Sequence, residues 1–157
     1  MNRPFQTRVA EVCERLNAHQ AQYILVGATA MQLWGTTRAT RNIDILIPKD
    51  VENAERILGG LGELGYGLAR EWLATEIVAK PITIIGDDPR VDIMTVAWSI
   101  SYEKAAPDAT VFEVEGVGIP TASIDHLIAS KRTGRLQDAA DIEVLQEIKR
   151  LRNLGAQ

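Results

Sequence analysis

Apolar residues at Val9, Val12, Cys13 and Leu16 recur at helical spacing, which predicts a first helix from about Phe5 to Leu16, ending near Asn17. The run from Tyr23 to Gly27, YILVG, is apolar almost throughout and predicts a short buried strand. ATAMQLWG follows at once, rich in helix formers and closed by a C-terminal cap at Gly35. In NIDILIP the period falls to two: Asn42 and Asp44 share one face, Ile43, Ile45 and Ile47 the other, and Pro48 ends the strand. Asp50 is placed to cap a third helix whose core face is Val51, Ala54, Ile57, Leu58 and Leu61.

The pattern then weakens. Glycines between Gly59 and Gly67 predict a break, and EWLATEIVA fits a helix and a strand equally well. ITIIG and VDIMTV predict two strands joined by the turn Gly86-Asp87-Asp88-Pro89, and Thr110 to Val114 a further strand. Ser123 caps a helix carrying Ile124, Leu127 and Ile128, and Leu136 to Leu154 form a long amphipathic helix. Helices alternate with strands before a hairpin-like strand pair, which predicts an α+β fold: a mixed sheet packed with helices, closed by a C-terminal helical pair. The expected organisation is a single domain over residues 1–157, with the sheet core at about 20–120 and the terminal helices at about 123–154.

Composition narrows the classes. With 157 residues, 46% of them hydrophobic, the chain can bury a real core. A net charge of −4 and a pI near 5.2 argue against broad non-specific nucleic-acid binding, though not against a local basic pocket. Cys13, the single cysteine, falls on an apolar helical stripe and reads as a buried filler. No apolar run reaches the roughly 18 residues of a membrane span. The opening residues Met-Asn-Arg-Pro-Phe lack the apolar stretch of a secretion signal, so a cytoplasmic protein without membrane contact is expected.

Against that background the polar strand positions become candidates. Asp92, in RVDIM, sits in a strand built like that of Asp44; on neighbouring strands the two carboxylates would converge on one divalent cation. Magnesium takes one or two carboxylates together with substrate phosphates. Either aspartate alone fits a solvent-facing strand position as well. Gly27-Ala28 adds a strand that turns directly into a helix N-terminus, where free backbone N–H groups suit phosphate; a glycine needed only for a tight turn is the alternative.

Gly27-Ala28, thirteen residues, Asn42-Ile43-Asp44 and then Asp92 together resemble the signature of the DNA polymerase beta-like nucleotidyltransferase superfamily. VGATAMQLWGTTRATRNIDILI is similar to the small bacterial branch that includes the AbiEii-type toxins, with Arg38, Thr40, Asn42 and Asp44 on the positions of its Arg-x-Thr-x-Asp-x-Asp motif. SIDHLIASKRTGRLQDAADIEVL resembles that group's C-terminal helices, with Lys131, Arg135, Asp138 and Asp141 in their basic and acidic places. The resemblance spans most of Gly27 to Leu145. It implies transfer of a nucleoside monophosphate from a nucleoside triphosphate (NTP), with Mg2+ or Mn2+, to an acceptor such as tRNA, a protein hydroxyl or a small molecule. A cognate antitoxin or other partner protein is also implied. In this reading Asp44 and Asp92 are catalytic, and Asn42, Asp44 and Asp92 face the metal. Gly27, Ala28, Arg38, Thr40, Lys131 and Arg135 bind the nucleotide, while Asp138 and Asp141 orient the basic side chains or pack the terminal helices.

Two positions depart from the motif. Ala28 offers no hydroxyl to phosphate, so backbone donors must suffice. Asn42 replaces the first acid; its amide can ligate magnesium but brings no charge. One unit charge at 4 Å is worth on the order of 4 kcal/mol at an effective dielectric of 20. The sequence therefore leaves two further readings beside the enzyme: a catalytically degenerate relative that binds nucleotide or partner, and an interaction module that acts by occlusion.

Overall fold

The computed structural model describes residues 4–37, 39–65, 69, 71–87 and 89–155. Helix α1 (Phe5–Ala18) precedes β1 (Ile24–Val26), α2 (Gly27–Trp34), β2 (Asn42–Leu46), α3 (Val51–Gly62) and α4 (Ala74–Ala79). Then come β3 (Ile82–Ile85), β4 (Arg90–Met94), α5 (Tyr102–Ala105) with a 3-10 turn at Ala106–Asp108, β5 (Thr110–Val114), β6 (Val117–Thr121), α6 (Ile124–Ser130) and α7 (Leu136–Gly155). The six strands form one mixed sheet in the order β3-β4-β2-β1-β6-β5. β2 pairs with β4, and β1 with β6, in parallel; the other pairs are antiparallel. This is the α+β architecture that the alternation of patterns predicts.

The strand period does its expected work in β2. Ile43, Ile45 and Ile47 are fully buried and join Val91 and Ile93 of β4 in one hydrophobic core with Leu16, Leu25, Ile57 and Leu61. On the opposite face the parallel register sets Asn42 beside Arg90, Asp44 beside Asp92 and Leu46 beside Met94. That ladder is polar at one end, acidic in the middle and apolar at the other.

Several local readings change. The break predicted from Gly59 is absent up to Gly62, because α3 runs straight through Gly59 and Gly60. A Cβ on Gly60 would lie 3.1 Å from the Arg15 carbonyl oxygen, and one on Gly59 3.1 Å from the His19 ring. These glycines let α3 approach α1 closely rather than ending the helix. EWLATEIVA resolves as helix α4, with the Glu76 carboxylate accepting the Leu73 backbone N–H at its start. Strand β6, which carries Gly118 and Pro120, is an element the pattern did not show. Asp50 and Ser123 cap α3 and α6 through their side chains, as read from the sequence. Cys13 is buried, and burial pushes its thiol up to about 12, which suits an inert filler. Among the described residues no helix is long and apolar enough to cross a membrane.

Candidate active site

Residue Val26 ends β1 in an extended conformation, and Gly27 opens α2 with φ +66, where a side chain is strained. The close approach there is the second reason for glycine: a Cβ would overlap the Asp44 Oδ2 atom. Asp44 thus lies directly over the glycine turn. The Thr29 hydroxyl, in the first turn of α2, donates to the Asn42 carbonyl at 2.6 Å and ties the helix to the start of β2. The Thr40 hydroxyl accepts the Asn42 N–H at 3.2 Å, so this residue shapes the approach to the strand.

Asp44 and Asp92 meet on one face, in register on adjacent parallel strands. Both are buried, at 9% and 4% exposure. Burial first, and then the neighbouring Asp92, push Asp44 up to about 7, against the opposing pull of Arg90 and Lys131. Asp44 Oδ1 is buried without any hydrogen-bond partner. Arg90 holds Asp92 from the same strand: its Nε donates to Oδ1 and an Nη to Oδ2, each at 2.8 Å.

The facing wall comes from the α6–α7 connection. Lys131 is the C-terminal cap of α6, and Arg135 lies in the loop before α7, so the two do not share one helix face. Lys131 is buried, with its Nζ 3.2 Å from Asp141 and 3.5 Å from Asp138. Arg135 is exposed and donates to Asp138 at 2.7 Å. A cleft of about 310 Å3 joins the walls: Ala28, Thr40, Asn42 and Asp44 on one side, Lys131, Arg135 and Asp138 on the other, with Trp98 at the rim. Trp98 adopts φ +56, in a turn closed by paired Ala97–Ile100 hydrogen bonds, and Lys131 Nζ stands 5.6 Å from its ring centre. Of the sequence candidates, Arg38 lies outside the described residues. The others gather around this cleft, with Gly27 beneath Asp44 and Asp92 beside it.

The donor set fits a magnesium or manganese ion. Among the described residues no third acid or imidazole joins the two aspartates. Asp44, with its orphaned buried oxygen, and the Asn42 amide match an ion that completes its shell with phosphate and water, while Arg90 occupies both oxygens of Asp92. Two residues escaped the sequence reading. Arg90 was legible, being two positions before Asp92 on a strand and hence on its face; Trp98 was not, since nothing in its local pattern separates it from Trp34 and Trp72.

No protein-family model matches the sequence, and no curated protein does. Solved structures do match. The antibiotic-resistance factor ANT(2'')-Ia superposes with a TM-score of 0.54 at 14% identity, over 96% of this chain and 94% of its own. TM1012 from Thermotoga maritima, a protein assigned to the nucleotidyltransferases, gives 0.51 at 19% identity, over 100% of this chain and 97% of its own. The fold of this chain is that of these two structures, each matched over nearly its whole length.

Proposed function

We propose that the chain is a metal-dependent nucleotidyltransferase that moves a nucleoside monophosphate from an NTP to a hydroxyl acceptor. The observation that carries the reading is the in-register pair Asp44–Asp92 packed over the Gly27 turn, with one buried Asp44 oxygen left unpartnered. Asp44, with the Asn42 amide on the same face, would hold the divalent ion, which would supply charge neutralisation at the triphosphate, and Asp92 stands in register beside it. Backbone N–H groups in the first turn of α2 bind phosphate oxygens. Lys131, with Arg135 nearer solvent, balances phosphate charge from the opposite wall. In the transfer the acceptor oxygen bonds to the α-phosphorus, the bond to pyrophosphate breaks, and a carboxylate of the pair receives the hydroxyl proton. The acceptor is an RNA, protein or small-molecule hydroxyl. The Lys131, Arg135, Asp138 and Asp141 constellation supports the AbiEii-like branch and, with it, a role beside an antitoxin.

A second reading rests on Asn42 and on the Arg90 clamp: a relative that binds nucleotide without transferring it. Pyrophosphate release decides between them, measured with each NTP, Mn2+ and an RNA and protein extract as acceptor. The enzyme reading expects release from the wild type and at least a hundred-fold less from Asp44→Ala, since removing a group that stabilises transition-state charge costs factors of about 10²–10³. Release that survives Asp44→Ala removes this strand from the chemistry. No release from the wild type with any NTP favours the binding protein.

A further inference from the structure

The parallel register that sets Asp44 beside Asp92 also sets Asn42 beside Arg90. The two positions at which the site is poorest in negative charge are therefore neighbours. Arg90 occupies both oxygens of Asp92 at 2.8 Å with a planar two-point fork, the strongest geometry open to a carboxylate and a guanidinium. A guanidinium does not lose its proton in this setting, so its charge is permanent. Asp44 is the converse case, a buried carboxylate oxygen with nothing bound to it. Of three places for acids, one is an amide, one is already neutralised, and one is open.

Building on the transferase reading, we propose that Arg90 is the resident second cation of this site. A single divalent ion binds per nucleotide, at Asp44, and the Arg90 guanidinium supplies at Asp92 the charge that a second ion would bring. Asn42 belongs to the same arrangement. An acid at 42 would stand next to Arg90 and draw the guanidinium away from Asp92; an amide carries no charge with which to compete. Three of the five Arg90 N–H donors are not used on Asp92, and its side chain is 40% exposed, so phosphate can be met from the solvent side. Arg90 acts here through Asp92 and the phosphates, as a positioning residue.

Manganese titrations followed by electron paramagnetic resonance test this, with non-hydrolysable α,β-methylene analogues of the four NTPs. Two ions about 3.5–4 Å apart couple magnetically, whereas a lone ion gives an isolated six-line spectrum. The wild type is expected to bind one Mn2+ per chain with an uncoupled spectrum. Arg90→Gln, which frees Asp92, is expected to bind two with a coupled spectrum; Arg90→Met replaces it should the glutamine variant not fold. Two coupled ions in the wild type, or one ion in both Arg90 variants, would overturn the role of Arg90 and leave the transferase reading standing. No bound Mn2+ in any of these proteins, with any analogue, would overturn both.

Discussion

Gly27 and Asp44 are sequence neighbours of other residues but structural neighbours of each other. At φ +66, beneath the Asp44 carboxylate, Gly27 has no room for even a methyl group. Gly27→Ala should therefore destabilise the fold by about 1–3 kcal/mol, the usual cost of a residue forced into a sparsely populated conformation. Equilibrium unfolding in urea measures this, and pyrophosphate release should fall in parallel, because the methyl group would displace Asp44. An alanine variant as stable as the wild type would show that the turn relaxes and that the glycine is not needed for the close approach. At this scale the alternation Asn42-x-Asp44 was readable, since a strand needs only period two to place both on one face. The same period places Arg90 on the face of Asp92, but the clamp itself was not legible, since period two fixes the face of a side chain and not the partner it takes.

Among elements, the α6–α7 connection shows how a buried lysine is tolerated. Lys131 caps α6 between Asp138 and Asp141 of α7, and Asp138 also accepts from the Thr133 hydroxyl at 2.5 Å and from Arg135. The Thr133 hydrogen bond first, with the Arg135 bond and the Lys131 charge, holds the Asp138 carboxyl below its ordinary range. Its folded-state pKa being depressed, Asp138 contributes stability that is full above its ordinary pKa of about 3.9 and is lost as pH falls through the lower folded value. Asp138→Asn should thus be less stable than the wild type at pH 7, the gap narrowing below about pH 4. Urea midpoints across that range check the sign; a gap that widened in acid would reject it. The charged pattern of these two helices was legible in the sequence, but their junction was not, because Lys131 and Arg135 lie i,i+4 and mimic one helix face. A similar ambiguity hid α3 beyond Gly59 and strand β6, since glycine and proline announce breaks when read locally. Only the partner shows that Gly60 makes room for the backbone of α1, or that β6 completes the sheet between β1 and β5.

Across the whole molecule, the cleft is a seam between β2 with the start of α2 and the α6–α7 connection, and Trp34, outside the cleft lining, fastens the far end of α2 to β5, to the β6–α6 junction and to α7. Its indole N–H donates to the Ala122 carbonyl at 2.9 Å, its ring meets Phe112 of β5 edge-on at 5.0 Å, and Arg152 of α7 lies 4.7 Å over it. Fastening and ligand binding should therefore separate under mutation. Trp34→Ala, at a half-buried position, is expected to cost about 2–3 kcal/mol, below the 3–5 of a fully buried aromatic. It should leave the cleft's polar groups unchanged. A nucleoside triphosphate with Mn2+ at about 100 times its Kd stabilises by about 2.7 kcal/mol, which for a chain of this size raises Tm by roughly 5–10 °C. That rise should persist in Trp34→Ala on a lowered baseline. It should vanish in Asp44→Ala, which loses the orphaned oxygen, and shrink in Lys131→Met, which keeps the packed stem but not the charge. Differential scanning fluorimetry on the four proteins gives the comparison. An undiminished shift in both Asp44→Ala and Lys131→Met would place the nucleotide somewhere other than this cleft. A shift lost only in Trp34→Ala would mean that the seam, rather than its two charged walls, forms the binding site.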